Sequence, residues 1–130
     1  MNPIFLETDD VLAVHAEQIE RFGGADGVRD RGLLESALAQ PMVTFGDNFL
    51  HEDLYAMAAA YLFHIVQNHP FIDGNKRTGL LSALAFLELN GIQTYSATEL
   101  YDLVMAVAEG HLAKAGVAGE LRRLFPSVTQ

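Results

Sequence analysis

Residues 54–66 are apolar on almost every face that a helix can present. Leu54, Tyr55, Met57, three consecutive alanines, Tyr61, Leu62, Phe63, Ile65 and Val66 leave few polar interruptions. A helix with no side to turn towards water belongs at the centre of a bundle. A second rich helix is expected from about 74 to 90, with Gly91 at its C′ position. Asn68-His69-Pro70 separates the two, because the residue before a proline is pushed towards extended geometry. Two central helices in succession require the remaining chain to cover them, and that sets the fold class.

The remaining sequence supplies the cover. Thr8 reads as an N-cap, with Asp9 and Asp10 at the positive end of a helix dipole. Val11, Leu12, His15, Ile19 and Phe22 then recur at helical spacing until Gly23-Gly24. A glycine- and charge-rich loop over 24–30 leads to a short helix at 31–39, stopped by Pro41. In residues 42–49, Val43, Phe45 and Phe49 alternate around Gly46-Asp47-Asn48, a pattern open to a hairpin or flap but read here as a loop. Ser96 and Glu99 form an S-x-x-E capping box for a helix carrying Leu100, Leu103, Val104 and Val107. A last helix is expected at 115–125, with Arg122 and Arg123 near its negative end. No repeat, low-complexity tract or linker divides the chain. The expected architecture is all-α: one domain over 1–130, a compact bundle of about six helices.

Composition narrows the function classes. The 130 residues are 50% hydrophobic, enough for a core without metal or disulfide staples. With 8 Lys+Arg against 17 Asp+Glu, the formal charge is −9. Binding to phosphate backbones or anionic lipid needs the opposite sign, so no direct nucleic-acid or membrane partner is expected. The absence of cysteine removes thiol chemistry and Cys-ligated zinc. With no leader-like start and no uncharged run of about 18 residues, the chain reads as cytoplasmic.

The loop at 69–79 carries the chemistry. His69, Asp73, Gly74, Asn75, Lys76 and Arg77 crowd into nine residues between the two central helices. Lys76 and Arg77 are two of the eight Lys+Arg, and they stand at a helix start, unfavourable for cations on dipole grounds. The same position suits a bound anion, because free N–H groups of the first turn already face it. Gly74 permits close backbone approach to a phosphate, and Asn75 can orient an oxygen. Asp73 can hold Mg²⁺, which takes one or two carboxylates plus phosphate oxygens. His69 can take a proton from an attacking hydroxyl. These are the parts of a site for nucleoside triphosphate chemistry.

The run H-P-F-I-D-G-N-K-R-T-G resembles the signature loop of the Fic/Doc superfamily, roughly H-x-F-x-[DE]-[GA]-N-[GK]-R. Leu12, His15, Gly23-Gly24, Gly27, Arg29-Asp30, Gly32-Leu33 and Glu35-Ser-Ala-Leu38 resemble the opening of the death-on-curing (Doc) family, and the likeness extends from about Phe5 to Phe125. AMP-transferring members usually carry glycine after the motif asparagine and a second arginine further on. Here Lys76 and Leu80 occupy those places, both as in Doc. The resemblance implies a toxin that uses ATP and Mg²⁺ to phosphorylate a threonine of elongation factor Tu. It assigns His69 as the base, Asp73 as the metal carboxylate, Gly74, Asn75, Lys76 and Arg77 as the phosphate-binding set, and Phe71 as a buried anchor. Self-inhibiting members carry a helix of pattern [ST]-x-x-x-E-[GN]. Here the residue four before Glu109-Gly110 is Met105, so inhibition is expected from a separate, Phd-like antitoxin.

The alternatives are AMP transfer to a protein hydroxyl and a non-catalytic module that binds nucleotide or partner. A ribonuclease is disfavoured by the charge and by the want of a second acid or base beside His69. His64 lies five residues before His69, off its helical face, so it reads as a core histidine rather than half of a zinc pair. His15 reads likewise, and His51 and His111 carry no pattern. The segment 43–45 is a candidate target-docking flap, as that superfamily implies.

Overall fold

The structure is a computed structural model that describes residues 2–127. Six α-helices run in chain order: α1 Thr8–Phe22, α2 Arg31–Ala39, α3 Leu54–Asn68, α4 Asn75–Leu89, α5 Thr98–Ala108 and α6 Lys114–Leu124. A 3-10 turn, Gln40–Met42, with Pro41 inside it, stops α2. The all-α expectation therefore holds, with α3 at the centre and α2, α4, α5 and α6 packed around it.

The central position of α3 follows from its missing polar face. Met57, Ala58, Ala59, Ala60, Tyr61, Leu62 and Ile65 are fully buried. Tyr61 keeps its hydroxyl satisfied by accepting from Leu6 N at 2.9 Å, and burial pushes that phenol up to about 12. Gly79 lets α4 close on α3, since a Cβ there would lie 3.0 Å from Val66 Cγ2 and 3.2 Å from Leu62 O. Gln67 Nε2 donates to Val107 O at 2.7 Å, tying α3 to α5. Asp53 caps α3 through Ala56 N at 2.8 Å and pairs with Arg122 of α6 at 2.9 Å. No helix among the described residues is long and apolar enough to cross a membrane.

Three local expectations are corrected. Helix α1 is capped by Glu7 rather than Thr8, because Glu7 N donates to Asp10 Oδ2 at 2.7 Å and helical geometry already begins at Thr8. The Ser96 box does not form. Glu88 of α4 accepts from Thr94 N at 2.6 Å and Oγ1 at 2.8 Å, tying the chain back, and α5 starts later with Ala97 as its N-cap. These two bonds hold the Glu88 carboxyl below its ordinary value. Residues 42–49 contain a short antiparallel hairpin, β1 Thr44–Phe45 and β2 Asn48–Phe49, paired Thr44 with Phe49 and Phe45 with Asn48. Gly46, at φ 64°, supplies the first central position of its two-residue turn. Phe45, on the hairpin, is 82% exposed.

Candidate functional site

The site begins where α3 stops. His69 closes that helix in the left-handed region, φ 54° and ψ 53°, with its N–H donating to Ile65 O at 3.1 Å. Among the described residues it is the one non-glycine with positive φ. Such a conformation costs about 1–3 kcal/mol and persists only where neighbours over-determine it. The neighbours are on the segment between α1 and α2. Arg29 Nε donates to His69 O at 2.7 Å and Arg29 Nη2 to Asn68 O at 3.0 Å, capping the carbonyl end of α3. Asn68 Nδ2 in turn donates to Leu33 O at 2.9 Å.

The same segment pairs with the motif loop as a single antiparallel bridge, Val28 with Phe71. Its hydrogen bonds fall on the flanking residues: Arg29 N to Pro70 O at 2.7 Å and Ile72 N to Gly27 O at 3.0 Å. This is the non-hydrogen-bonded kind of pair, so Phe71 turns its own N–H and C=O away from the linker. Asn75 takes both: Oδ1 accepts from Phe71 N at 2.9 Å and Nδ2 donates to Phe71 O at 3.0 Å. The Asn75 side chain is thus buried and spent on the loop backbone, not turned towards an incoming oxygen. Phe71 is fully buried, as an anchor should be.

Helix α1 supplies the floor. His15 is 3% exposed and lies stacked on Phe71, ring centroids 3.8 Å apart. Its Nε2 is 2.8 Å from Asp73 O, and a carbonyl only accepts, so Nε2 carries the proton. The Asp73 side chain faces outward. Its Oδ1 accepts from Gly74 N at 2.9 Å, and its Oδ2 lies 3.4 Å from Ala25 N. Gly24, at φ 112°, makes that placement possible, since a Cβ there would stand 2.7 Å from Asp73 Oδ2. Gly74, at φ 80°, is the N-cap of α4. Asp73 therefore does not cap the helix, and lone pairs on both its oxygens remain for a ligand.

Lys76 and Arg77 extend from the exposed side of the first turn of α4. Neither forms an ion pair among the described residues. The Arg77 guanidinium lies over the ring of Phe22, 4.4 Å from its centroid. His69, Asp73, Gly74, Asn75, Lys76 and Arg77 all line one cavity of about 1080 Å³. The cavity continues between α4 and α5 over Leu80, Leu84, Leu100 and Val104, with Tyr95 and Tyr101 at its wall. Its motif end combines one imidazole, one carboxylate, two cations and a helix N-terminus. That set can hold an oxyanion and take a proton beside it. No group of three or more His, Asp or Glu among the described residues could cage a metal. A lone exposed carboxylate fits Mg²⁺, which keeps waters and phosphate oxygens in its shell.

Three contributors escaped the sequence reading. In the sequence His15 reads as a core residue and Gly24 as a helix stop, and these two and Arg29 otherwise enter only as members of a resemblance, with no part in building the site. The one available signal was the density of glycine and charge in 24–30, unusual for a plain connection. His64 is half-buried, with its Nε2 3.0 Å from Lys114 Nζ, and His51 is buried. Neither lines the cavity.

A family model described as the Fic/DOC family matches residues 5–87. The chain is 36% identical over 122 residues to the protein kinase doc of Escherichia phage P1, covering 94% of this chain and 96% of that one. It is also 36% identical over 120 residues to the toxin Doc of Mycolicibacterium smegmatis, covering 90% of each.

Proposed function

The chain belongs to the Fic/DOC family, and from that premise we propose that it is the toxin of a toxin–antitoxin module, one Fic/Doc domain acting as an ATP- and Mg²⁺-dependent protein kinase on a threonine of elongation factor Tu. The observation that carries the reading is the shared cavity: base, carboxylate and both cations line one space.

In this mechanism the target hydroxyl attacks the γ-phosphorus of ATP and ADP leaves. His69 takes the hydroxyl proton, a role worth about 10²–10⁴-fold. Lys76, Arg77 and the free N–H groups opening α4 balance charge on the transferred phosphoryl group, the largest usual source of transition-state stabilisation. Asp73 would hold Mg²⁺, which when bound would supply charge neutralisation for phosphate oxygens. Asn75 and Phe71 act by fixing the loop, and Gly74, at φ 80° and where a Cβ would meet Ile19 and His15 of α1, by turning the backbone into α4 at the phosphate-facing end. Lys76 stands where AMP-transferring relatives have glycine, and Leu80 lines the cavity where they have a second arginine, which favours phosphate over AMP as the group transferred.

Control falls to a partner in trans. Glu109 lies exposed at the carbonyl end of α5, and the residue four before it is Met105. The apolar continuation of the cavity between α4 and α5 suits a segment of a Phd-like antitoxin. We place the whole system in the cytoplasm, where elongation factor Tu works.

The test is intact mass spectrometry of elongation factor Tu after incubation with the protein, Mg²⁺ and ATP, beside the His69→Ala variant. One added phosphate, absent with the variant, is the expected result. One added AMP would overturn the inference from Lys76 while keeping the base and the metal carboxylate. Nucleotide binding without transfer to any protein of an extract would return the chain to a binding module.

A further inference from the structure

A second constellation lies apart from the cavity, where α6 begins against α3. The chain contains two lysines, Lys76 and Lys114. Lys114 is the first residue of α6 and is half-buried, and its Nζ is 3.0 Å from Nε2 of His64 on α3. An ammonium has only donors, so Lys114 donates and His64 presents its unprotonated Nε2. The other ring here is His51, from the segment before α3, which is buried with neither nitrogen hydrogen-bonded among the described residues. No carboxylate pairs with Lys114 among the described residues.

We propose that Lys114 and His64 form a nucleophile–base pair, making Lys114 a site of covalent acylation by small activated acyl donors, acyl phosphates or acyl thioesters. An amine within hydrogen-bond reach of a neutral imidazole has the arrangement that activated nucleophiles share. Burial lowers the affinity of Lys114 for its proton, raising the fraction that carries a free lone pair at neutral pH. His64 is held low by burial first and by the Lys114 charge second. Its basicity therefore rises as the lysine gives up its charge, at the point in the reaction where a proton acceptor is needed.

The step balances without another reactant. The Lys114 ammonium first loses one proton to solvent, and the nitrogen lone pair forms a bond to the acyl carbon. The bond from that carbon to phosphate oxygen, or to thioester sulfur, breaks, and phosphate or thiolate departs with the electron pair. His64 Nε2 takes the remaining excess proton from nitrogen and releases it to solvent. The product is a neutral amide at the first turn of α6. The proposal is independent of the activity assigned to the cavity.

The other lysine is an internal reference, because Lys76 is exposed and, among the described residues, is hydrogen-bonded to no imidazole. The experiment incubates the full-length protein near pH 7.5 with acetyl phosphate or, separately, acetyl-coenzyme A. Peptide mass spectrometry then follows initial acetylation rates at both lysines. Lys114 should react at least about fivefold faster than Lys76, a small share of the roughly 10²–10⁴-fold that a positioned base supplies. The His64→Gln variant keeps a hydrogen-bond acceptor but not a base, and should bring Lys114 to the rate of Lys76 while leaving Lys76 unchanged. Unfolding the wild-type protein in urea should remove the preference, a contrast that needs no variant to fold. Reaction with one donor and not the other would assign the acyl class. A ratio at or below one in the folded protein, no acetylation of Lys114 with either donor, or a ratio untouched by His64→Gln would overturn the proposal.

Discussion

The imidazole of His15 lies flat on the ring of Phe71, its plane 8° from parallel, while its Nε2 donates to the carbonyl of Asp73 at 2.8 Å. One side chain of α1 thus supports the buried anchor of the motif loop and positions the backbone of its carboxylate. Helix α1 is therefore part of the site's construction although none of its residues lines the cavity.

Removing that support should loosen both ends. The His15→Ala variant should lose about 3–5 kcal/mol of stability, the range for emptying a buried ring-sized space. If Asp73 holds Mg²⁺ as proposed, the Mg²⁺ concentration needed for half-maximal activity should rise as Asp73 loses its fixed backbone. His15→Phe keeps a ring against Phe71 and should recover most of the stability, but not the Mg²⁺ requirement. Urea denaturation and Mg²⁺ titration of phosphoryl transfer separate the two effects, and equal recovery of both would show that the hydrogen bond does nothing.

Asn75 should behave as a structural clamp. Asn75→Ala leaves the buried N–H and C=O of Phe71 without partners, at about 1–3 kcal/mol for each. Asn75→Asp keeps an acceptor for the N–H but opposes oxygen to oxygen at the carbonyl, and should also destabilise. Hydrogen exchange at the Phe71 amide reads this locally: fast exchange is expected in the alanine variant and slow exchange in the wild type. Wild-type protection in Asn75→Ala would contradict the clamp.

Arg29 should affect rate more than binding. It donates to the carbonyls of Asn68 and His69, so Arg29→Ala should lose the cap of α3, at a cost on the order of 1 kcal/mol. Without it the left-handed His69 has one fewer restraint, and kcat should fall on the order of tenfold, as small misplacements of a catalytic group do. KM for ATP should stay near its wild-type value. Arg29→Lys can reach one carbonyl but not both and should recover part of the rate. A change in KM alone would refute the assignment.

Acid should weaken the junction of α3 with α6. His64 is held down to about 4, from an ordinary value of 6.5, by burial first, then by the charge of Lys114 and by His51. His51 is lowered in the same direction, again by burial first. A histidine with a folded-state pKa below its unfolded value binds more protons when unfolded, so stability declines as pH falls. For His64 the decline runs from about 6.5 to about 4 and then levels, amounting to about 3–4 kcal/mol at most. Urea midpoints across that window should drop in the wild type and drop less in His64→Gln. Parallel curves would remove His64 as the source.

The motif loop shows how far each kind of information reaches. His69, Asp73, Lys76 and Arg77 stand out in the sequence as candidates because their residue types and spacing suggest a chemistry and because apolar helices bound them on both sides, and the structure brings them to one cavity. Asn75 was legible as a member of the set but not in its function, since an amide serves a ligand or a backbone equally well until its surroundings are known. The stretch 42–49 reads as a loop, and not as the hairpin it contains, because eight residues of mixed character carry little periodicity. The caps of α1 and α5 moved by a residue because Glu7 with Asp10, and Thr94 with Glu88, formed local bonds that competed with the expected ones.

By itself the sequence determined six helices, a central pair and a loop of chemical residues between them, because helical periodicity and turn residues act over a few positions. Only the tertiary structure decided what holds that loop. Arg29 reaches His69 across 40 residues, and His15 reaches Asp73 across 58. Contacts of that separation leave no periodic trace, since they depend on how the helices close on one another. The same closure brought Lys114 to His64 across 50 residues, as neither local sequence foretold.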